Sequence, residues 1–408
     1  MASPLRVIQP APKVKHSRMS KRRAAVLVAV HVVIAAHIAH WLVAGRTVTP
    51  VEPSEAMAFA KGGMVNAGLV FFAAAILLTL VFGRFFCGWA CHLVALQDLC
   101  RWLLEKLGHR PQPLRSRLLK FVPLVAFVYM FLWPVAYRLW VGDSFSHVDT
   151  EWTTTEFWST FPGWIVGGAT LLVCGFAAVY FLGAKGFCTY ACPYGAVFGA
   201  VERLSPFRIR VTDACQHCGH CTSVCTSNVR VHEEVATWGM VVDSGCMECM
   251  DCVSVCPNDA LYYGAGPLPM LTKARAEVPE RRYPLTWWEE ALLAVAFAAA
   301  FFTFRGLYGA VPFLMALGLA GVLAYPVLLL ARLATRPSLA VKGFRLKAAG
   351  RLTPAGWVFL AGIVALFLVW AQSALVRASG FLGERAYAAT ASLRSAALDA
   401  TRPRAALG

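Results

Sequence analysis

"CQHCGHCTSVC" occupies residues 215–225, and a second run, "CMECMDCVSVCP", occupies 246–257. Both follow the spacing C-x2-C-x2-C-x3-C. Two intervening residues let a turning loop aim three thiolates at three corners of one iron–sulfur cubane, while the fourth cysteine points away and reaches a second cubane. The expectation is therefore a crossed pair of [4Fe–4S] clusters. Cys215, Cys218, Cys221 and Cys256 would hold one, and Cys246, Cys249, Cys252 and Cys225 the other. Pro257 follows the second run, where the first has Thr226. Structural zinc fits less well, because zinc motifs pair two Cys-x-x-Cys units across a longer gap.

These runs lie in the one long polar stretch of an otherwise apolar chain. Of 408 residues, 58% are hydrophobic and 15% charged. With a mean hydropathy of +0.58, this reads as a polytopic membrane protein. Runs long enough to cross a bilayer (about 20 residues) fall at about 24–44, 64–82, 118–140, 163–183, 286–305, 311–331 and 355–376. The expected fold is an α-helical polytopic membrane protein of about seven transmembrane helices. A bacterial-type two-cluster ferredoxin domain (α+β) is inserted on the cytoplasmic side. The expected divisions are a basic N-terminus (1–23), a four-helix membrane domain (24–184) and the cluster domain (185–284). A three-helix membrane domain (285–376) and a tail (377–408) follow.

The net charge of +16 is carried by blocks that flank apolar runs. Residues 1–23 carry seven Lys/Arg and no acid, and 332–354 carry six and no acid. Residues 141–162 carry Asp143, Asp149, Glu151 and Glu156 and no Lys/Arg. The asymmetry places the N-terminus, the loop 83–117 and the cluster domain in the cytoplasm of a bacterial inner membrane. The first run is longer than a signal-peptide core and reads as a retained anchor. The tail falls outside under a seven-helix count. No basic stripe with interleaved aromatics appears, which argues against nucleic acid. Glu289 and Glu290 fall in the first turn of the fifth run, suited to a helix N-terminus or to a functional role.

One repeat stands out. "FCGWACHLVALQDLCRWL" at 86–103 resembles "FCTYACPYGAVFGAVERL" at 187–204, 101 residues later. The first four helices thus form two related hairpins. On a helix, Cys87 and Cys91 share a face, as do Cys188 and Cys192. Packed about a pseudo-twofold axis, the four thiols would meet at the cytoplasmic membrane surface. They would form a candidate extra metal or redox site, suited to copper(I), zinc or a further iron–sulfur centre. Covalent haem does not fit, since it uses C-x-x-C-H. Cys100 and Cys174 lack repeat partners and read as packing residues. His31, His37 and His40 lie in the first run, with His37 and His40 three apart on one face. Quinone-site proton exchange or transient copper binding are the candidate roles for His37 and His40.

In combination these motifs, over residues 64–265, resemble the membrane-bound 4Fe–4S polyferredoxin family of NapH, NosR and CcoG types. The Cys-x-x-x-Cys-Pro element is complete at Cys188, Cys192 and Pro193, and has His92 in the proline place at Cys87 and Cys91. The three helices expected after residue 285 exceed the NapH plan. The resemblance implies an inner-membrane carrier embedded in lipid. It would pass electrons from quinol or a cytoplasmic reductant to a partner redox protein. The alternative is a copper-reducing assembly factor that uses the four hairpin thiols.

Overall fold

The computed structural model describes residues 14–142, 148–157, 163–278 and 283–401, with side chains described to residue 390. Residues 1–13 of the basic N-terminus, Asp143 of the acidic loop, and Arg402 and Arg404 of the tail lie outside the described residues. The chain divides into two compact units, Met1–Glu290 and Ala291–Gly408.

Among the described residues, six helices are long and apolar enough to cross a membrane: Arg18–Ala44, Leu119–Trp140, Gly163–Leu182, Trp287–Phe304, Phe313–Thr335 and Pro354–Thr390. The second expected span forms a shorter apolar helix, Ala67–Phe82, of 16 residues. Its ends explain the shortfall. The Asn66 side chain accepts from Leu69 N–H at the start, and Gly83, at φ +69°, ends the helix in a backbone that side chains resist. At 1.5 Å per residue it measures about 24 Å, against about 30 Å of hydrocarbon. Two other spans loosen into π-helical turns, at Val128–Leu132 and Leu171–Ala177. The first precedes Pro134, whose ring cannot accept the regular α-helical carbonyl spacing.

The cluster domain is small and α+β. Phe207–Val211 pairs antiparallel with Leu261–Ala265 in the register Ile209↔Tyr263. The helix Val231–Trp238 packs between the two cysteine runs, over a core of Ile209, Val229, Val235, Val241 and Leu261. Two buried acids fasten the entry to the fifth span. Glu290 accepts from Ser116 Oγ at 2.5 Å and from Arg117 N at 2.9 Å, and Glu289 accepts from Thr286 N at 3.0 Å. They are capping and packing groups.

In the second unit, the Phe313–Thr335 helix leads into a three-stranded antiparallel sheet, with Leu333, Leu339 and Leu346 as its core. A 48-residue helix, Pro354–Thr401, then continues past the expected start of the tail at 377.

Candidate functional site

The two cysteine runs fold alike. Left-handed backbone recurs at three matched places: His217 and Glu248, Gly219 and Met250, Asn228 and Asp259. Each pair is 31 residues apart, the offset of the runs themselves. Such turns aim successive backbone N–H groups inward, a concavity suited to anions and to iron–sulfur centres. Short helices, His220–Ser223 and Asp251–Ser254, then carry the third cysteine of each run.

One cavity is lined by Cys215, Cys218, Cys221 and, from the other run, Cys256. Correspondingly, Cys225 lies in electrostatic range of Cys249 and Cys252. Buried polar atoms without a protein partner surround the pair: His220 Nε2, Thr226 Oγ1 and Ser227 Oγ. Burial pushes the Cys221 thiol up to about 11 and the Cys249 thiol up to about 12. A cationic centre would supply the attraction that holds them as thiolates. Soft donors, inward N–H groups and unclaimed hydroxyl and imidazole atoms all fit a [4Fe–4S] group.

The hairpin thiols form the second constellation. Cys192 lies in electrostatic range of Cys188, Cys91 and Cys87, and Cys91 of Cys188 and Cys87. Cys91 and Cys192 each stand at the N-cap of a helix, His92–Lys106 and Pro193–Val201, where the positive end of the helix faces their thiols. Three residues before the first thiol of each pair stands a buried cation, Arg84 or Lys185. Arg84 Nη2 lies 3.9 Å from Cys87 Sγ, and Gln97 Nε2 donates to Cys188 Sγ at 2.8 Å. Lys185 is held by Asp98 at 2.5 Å, and Asp98 also pairs with Arg23 at 3.0 Å. Cations and helix N-termini both favour thiolate. Sequence reasoning missed Arg84, Gln97 and Lys185. The available signal was that Arg84 and Lys185 share the repeat's offset of 101.

The structure also shows what packs around these thiols. Both thiol elements pack against the apolar helices around them. His92 lies in electrostatic range of His31, the midpoint of the Arg18–Ala44 helix. It also meets Glu52, from the loop at the far end of that helix, at 3.9 Å. Tyr194 packs on Phe72 and Phe131, inside two other apolar helices, at ring distances of 5.8 and 6.1 Å. Cys100 and Leu104 run beside Val179 in the fourth span. Helical backbone can re-enter a bilayer where protein surrounds it.

Among the described residues, no three His, Cys, Asp or Glu are gathered as around a single metal ion. Four thiolates on one tetrahedral zinc would stand about 3.8 Å apart, from a metal–sulfur distance of about 2.3 Å. The corners of a cubane hold theirs farther apart. The membrane histidines stay local: His37 Nε2 meets Val48 O at 3.1 Å, and His40 Nδ1 meets Thr47 Oγ1 at 3.0 Å. They support the segment after the first helix and are not brought to the thiols.

The fold and these sites define a membrane-embedded iron–sulfur protein. A 4Fe–4S binding domain matches the chain twice, over 66–111 and 166–212, and a 4Fe–4S dicluster domain matches 214–261. The methylamine utilization ferredoxin-type protein MauN of Methylorubrum extorquens is 29% identical over 52% of this chain and 75% of its own length. The putative electron transport protein YccM of Escherichia coli is 31% identical over 40% of this chain and 47% of its own. The ferredoxin-type protein NapH of Haemophilus influenzae is 31% identical over 35% and 47%. The chain thus spans about half the length of the last two. No solved structure matches it. The chain thus carries 4Fe–4S binding and dicluster domains and is similar to ferredoxin-type and electron transport proteins of the membrane-bound 4Fe–4S polyferredoxin kind.

Proposed function

We propose that this protein is a bacterial inner-membrane carrier holding two [4Fe–4S] clusters on the cytoplasmic side. Cys215, Cys218, Cys221 and Cys256 hold one, and Cys246, Cys249, Cys252 and Cys225 hold the other. Electrons pass between the quinol pool, or a cytoplasmic reductant, and a partner redox protein. The short Ala67–Phe82 helix completes seven crossings with help from the bundle around it. The observation that carries the reading is the cavity in which Cys256 joins the three leading cysteines of the other run.

When bound, the clusters supply one-electron carriers whose potential is set by hydrogen bonds, charge and exposure. The chain's own residues do the rest. The matched turns present N–H groups, the valine core excludes water, and Arg23, 2% exposed, places positive charge beside Cys249. The seam to the membrane elements is short: Trp89 Nε1 donates to Glu248 O at 3.0 Å, and Arg84 Nη1 to Ser244 O at 2.5 Å. Cys87, Cys91, Cys188 and Cys192 therefore stand between the cluster domain and the bundle interior, where they extend the route.

The test is anaerobic mixing of oxidised, purified protein with menaquinol or ubiquinol, followed by EPR. Signals from reduced, interacting cubanes support quinol as donor. Reduction by a low-potential donor alone removes quinol and leaves a cytoplasmic reductant. A copper-handling role draws on the nearness of the four thiols, three of them buried and Cys91 half-buried. It requires that Cys188→Ser with Cys192→Ser abolish copper binding while both cubanes and quinol reactivity persist.

A further inference from the structure

A cleft of about 820 Å³ opens where the first turn of the Leu119–Trp140 span meets the cluster domain. Its inner end reaches Cys188 and Met247. Its mouth is apolar on the membrane side, where Phe121 is 53% and Leu124 50% exposed at the start of the span. Across from them stand Met270 and Val278, also exposed.

The remaining wall is cationic, with Arg115, Lys120, Arg203 and Arg230. Arg115 Nε donates to the neutral Asn228 Oδ1 at 2.8 Å, and among the described residues nothing takes its two terminal nitrogens. Lys120 rests over the Phe121 ring at 5.2 Å. Neither Lys120 nor Arg203 has a carboxylate within ion-pair distance among the described residues. Arg230 alone is matched, by Glu233 at 3.2 Å. The acids deeper in the cleft serve the backbone: Glu234 accepts from Val242 N and Asp243 N, and Asp243 from Gly245 N. Burial and, after it, the nearby charge of Arg230 pull the Arg115 pKa down, and Glu233 and Asp243 offset this only in part. The terminal nitrogens of Arg115, with the Lys120 and Arg203 side chains, are donors suited to an anion.

We propose that this cleft binds an anionic phosphate headgroup, that of a phospholipid, at Arg115. Arg203 and Lys120 flank the mouth, and the acyl chains leave over Phe121 and Leu124. Guanidinium pairs grip phosphate oxygens with charge-assisted, often bidentate, hydrogen bonds, and basic pockets at helix ends take anionic heads. A soluble phosphate compound shares the head chemistry, and the apolar lip favours the lipid. The inference is independent of the cluster assignment.

The experiment uses the full chain in neutral detergent, stripped of lipid and titrated with phosphatidylglycerol, phosphatidylcholine or inorganic phosphate. Native mass spectrometry counts bound lipid, and thermal melting reads stabilisation. Phosphatidylglycerol is expected to bind and raise the melting temperature, phosphatidylcholine to do neither. Arg115→Gln with Arg203→Gln is expected to weaken phosphatidylglycerol at least tenfold. Should that variant not fold, Lys120→Gln with Arg203→Gln, both at exposed positions, carries the same comparison. An equal effect of inorganic phosphate supports the anion site and assigns it a soluble ligand. Equal binding of the two lipids, or variants that bind phosphatidylglycerol unchanged, overturns the proposal.

Discussion

Replacing Gly88 with alanine tests whether the thiol element and the cluster domain are one packed piece. Gly88 follows Cys87 in the short Phe85–Trp89 helix and faces the Met247 carbonyl. A β-carbon there would overlap the Met247 oxygen and stand 3.2 Å from its carbonyl carbon and 3.6 Å from Cys249 N. The obstacle is backbone, so no rotamer change relieves it. Forcing a methyl group into a packed interior costs about 1–3 kcal/mol. Removing glycine from a helix returns up to about 1 kcal/mol. The overlap should therefore win, for a net loss of about 1–2 kcal/mol. At about 2–4 °C per kcal/mol for units of this size, the melting temperature falls by about 2–8 °C.

The assay is anaerobic differential scanning of the loaded protein, with EPR of the reduced state beside it. Gly168→Ala, in the fourth span with nothing within 4 Å of the added carbon, is the control, and it should melt at or above wild type. Because Met247 lies between Cys246 and Cys249, Gly88→Ala should alter one cubane's line shape and leave the other alone. If Gly88→Ala melts like Gly168→Ala with both signals unchanged, the seam is not as close as the structure draws it.

Three further outcomes follow from the same geometry. Arg208→Met leaves the fully buried Glu202 without its main partner, and should cost about 3–5 kcal/mol. Burial, opposed by Arg208 and Arg84, already pushes Glu202 up to about 7, so folding favours its protonated form above the usual 4.5. Without Arg208 that value rises further, so the variant's deficit should be small near pH 5.5 and grow above pH 7; a deficit equal at pH 5.5 and 8 would refute the assignment. Cys225→Ser should abolish the cubane of the second run, and Cys256→Ser that of the first, as read by EPR and iron content; the reverse assignment excludes crossed ligation. Gln97→Leu keeps the volume but removes the N–H donor to Cys188, so alkylation of that thiol in unfolding-free conditions should change rate by several-fold, whereas Leu99→Ala, at an exposed position of the same helix, should leave it unchanged.

What the sequence could reveal depended on where the information is local. The cluster runs were legible because ligand spacing and backbone shape are coupled within a dozen residues. The left-handed turns were not, since His217, Glu248 and Met250 are ordinary side chains at positions that usually call for glycine. Seven apolar runs were visible, but the ends of Ala67–Phe82 are set by a cap and a turn that hydropathy does not register. The buried cations beside the hairpin thiols were hidden for a stronger reason. Counting Arg84, Asp98 and Lys185 as loop charges assumes that they face water, and the structure spends them inside. Buried cations cost about several kcal/mol each unless matched. Asp98 answers Lys185, while for Arg84 the nearby matching groups are Glu202 and the Cys87 and Cys188 sulfurs. Negative charge on those sulfurs, as metal-bound thiolates carry, would add to that balance. The cation preceding each thiol pair thus favours thiolate at the four sulfurs, and the repeat that carries it was in the sequence all along.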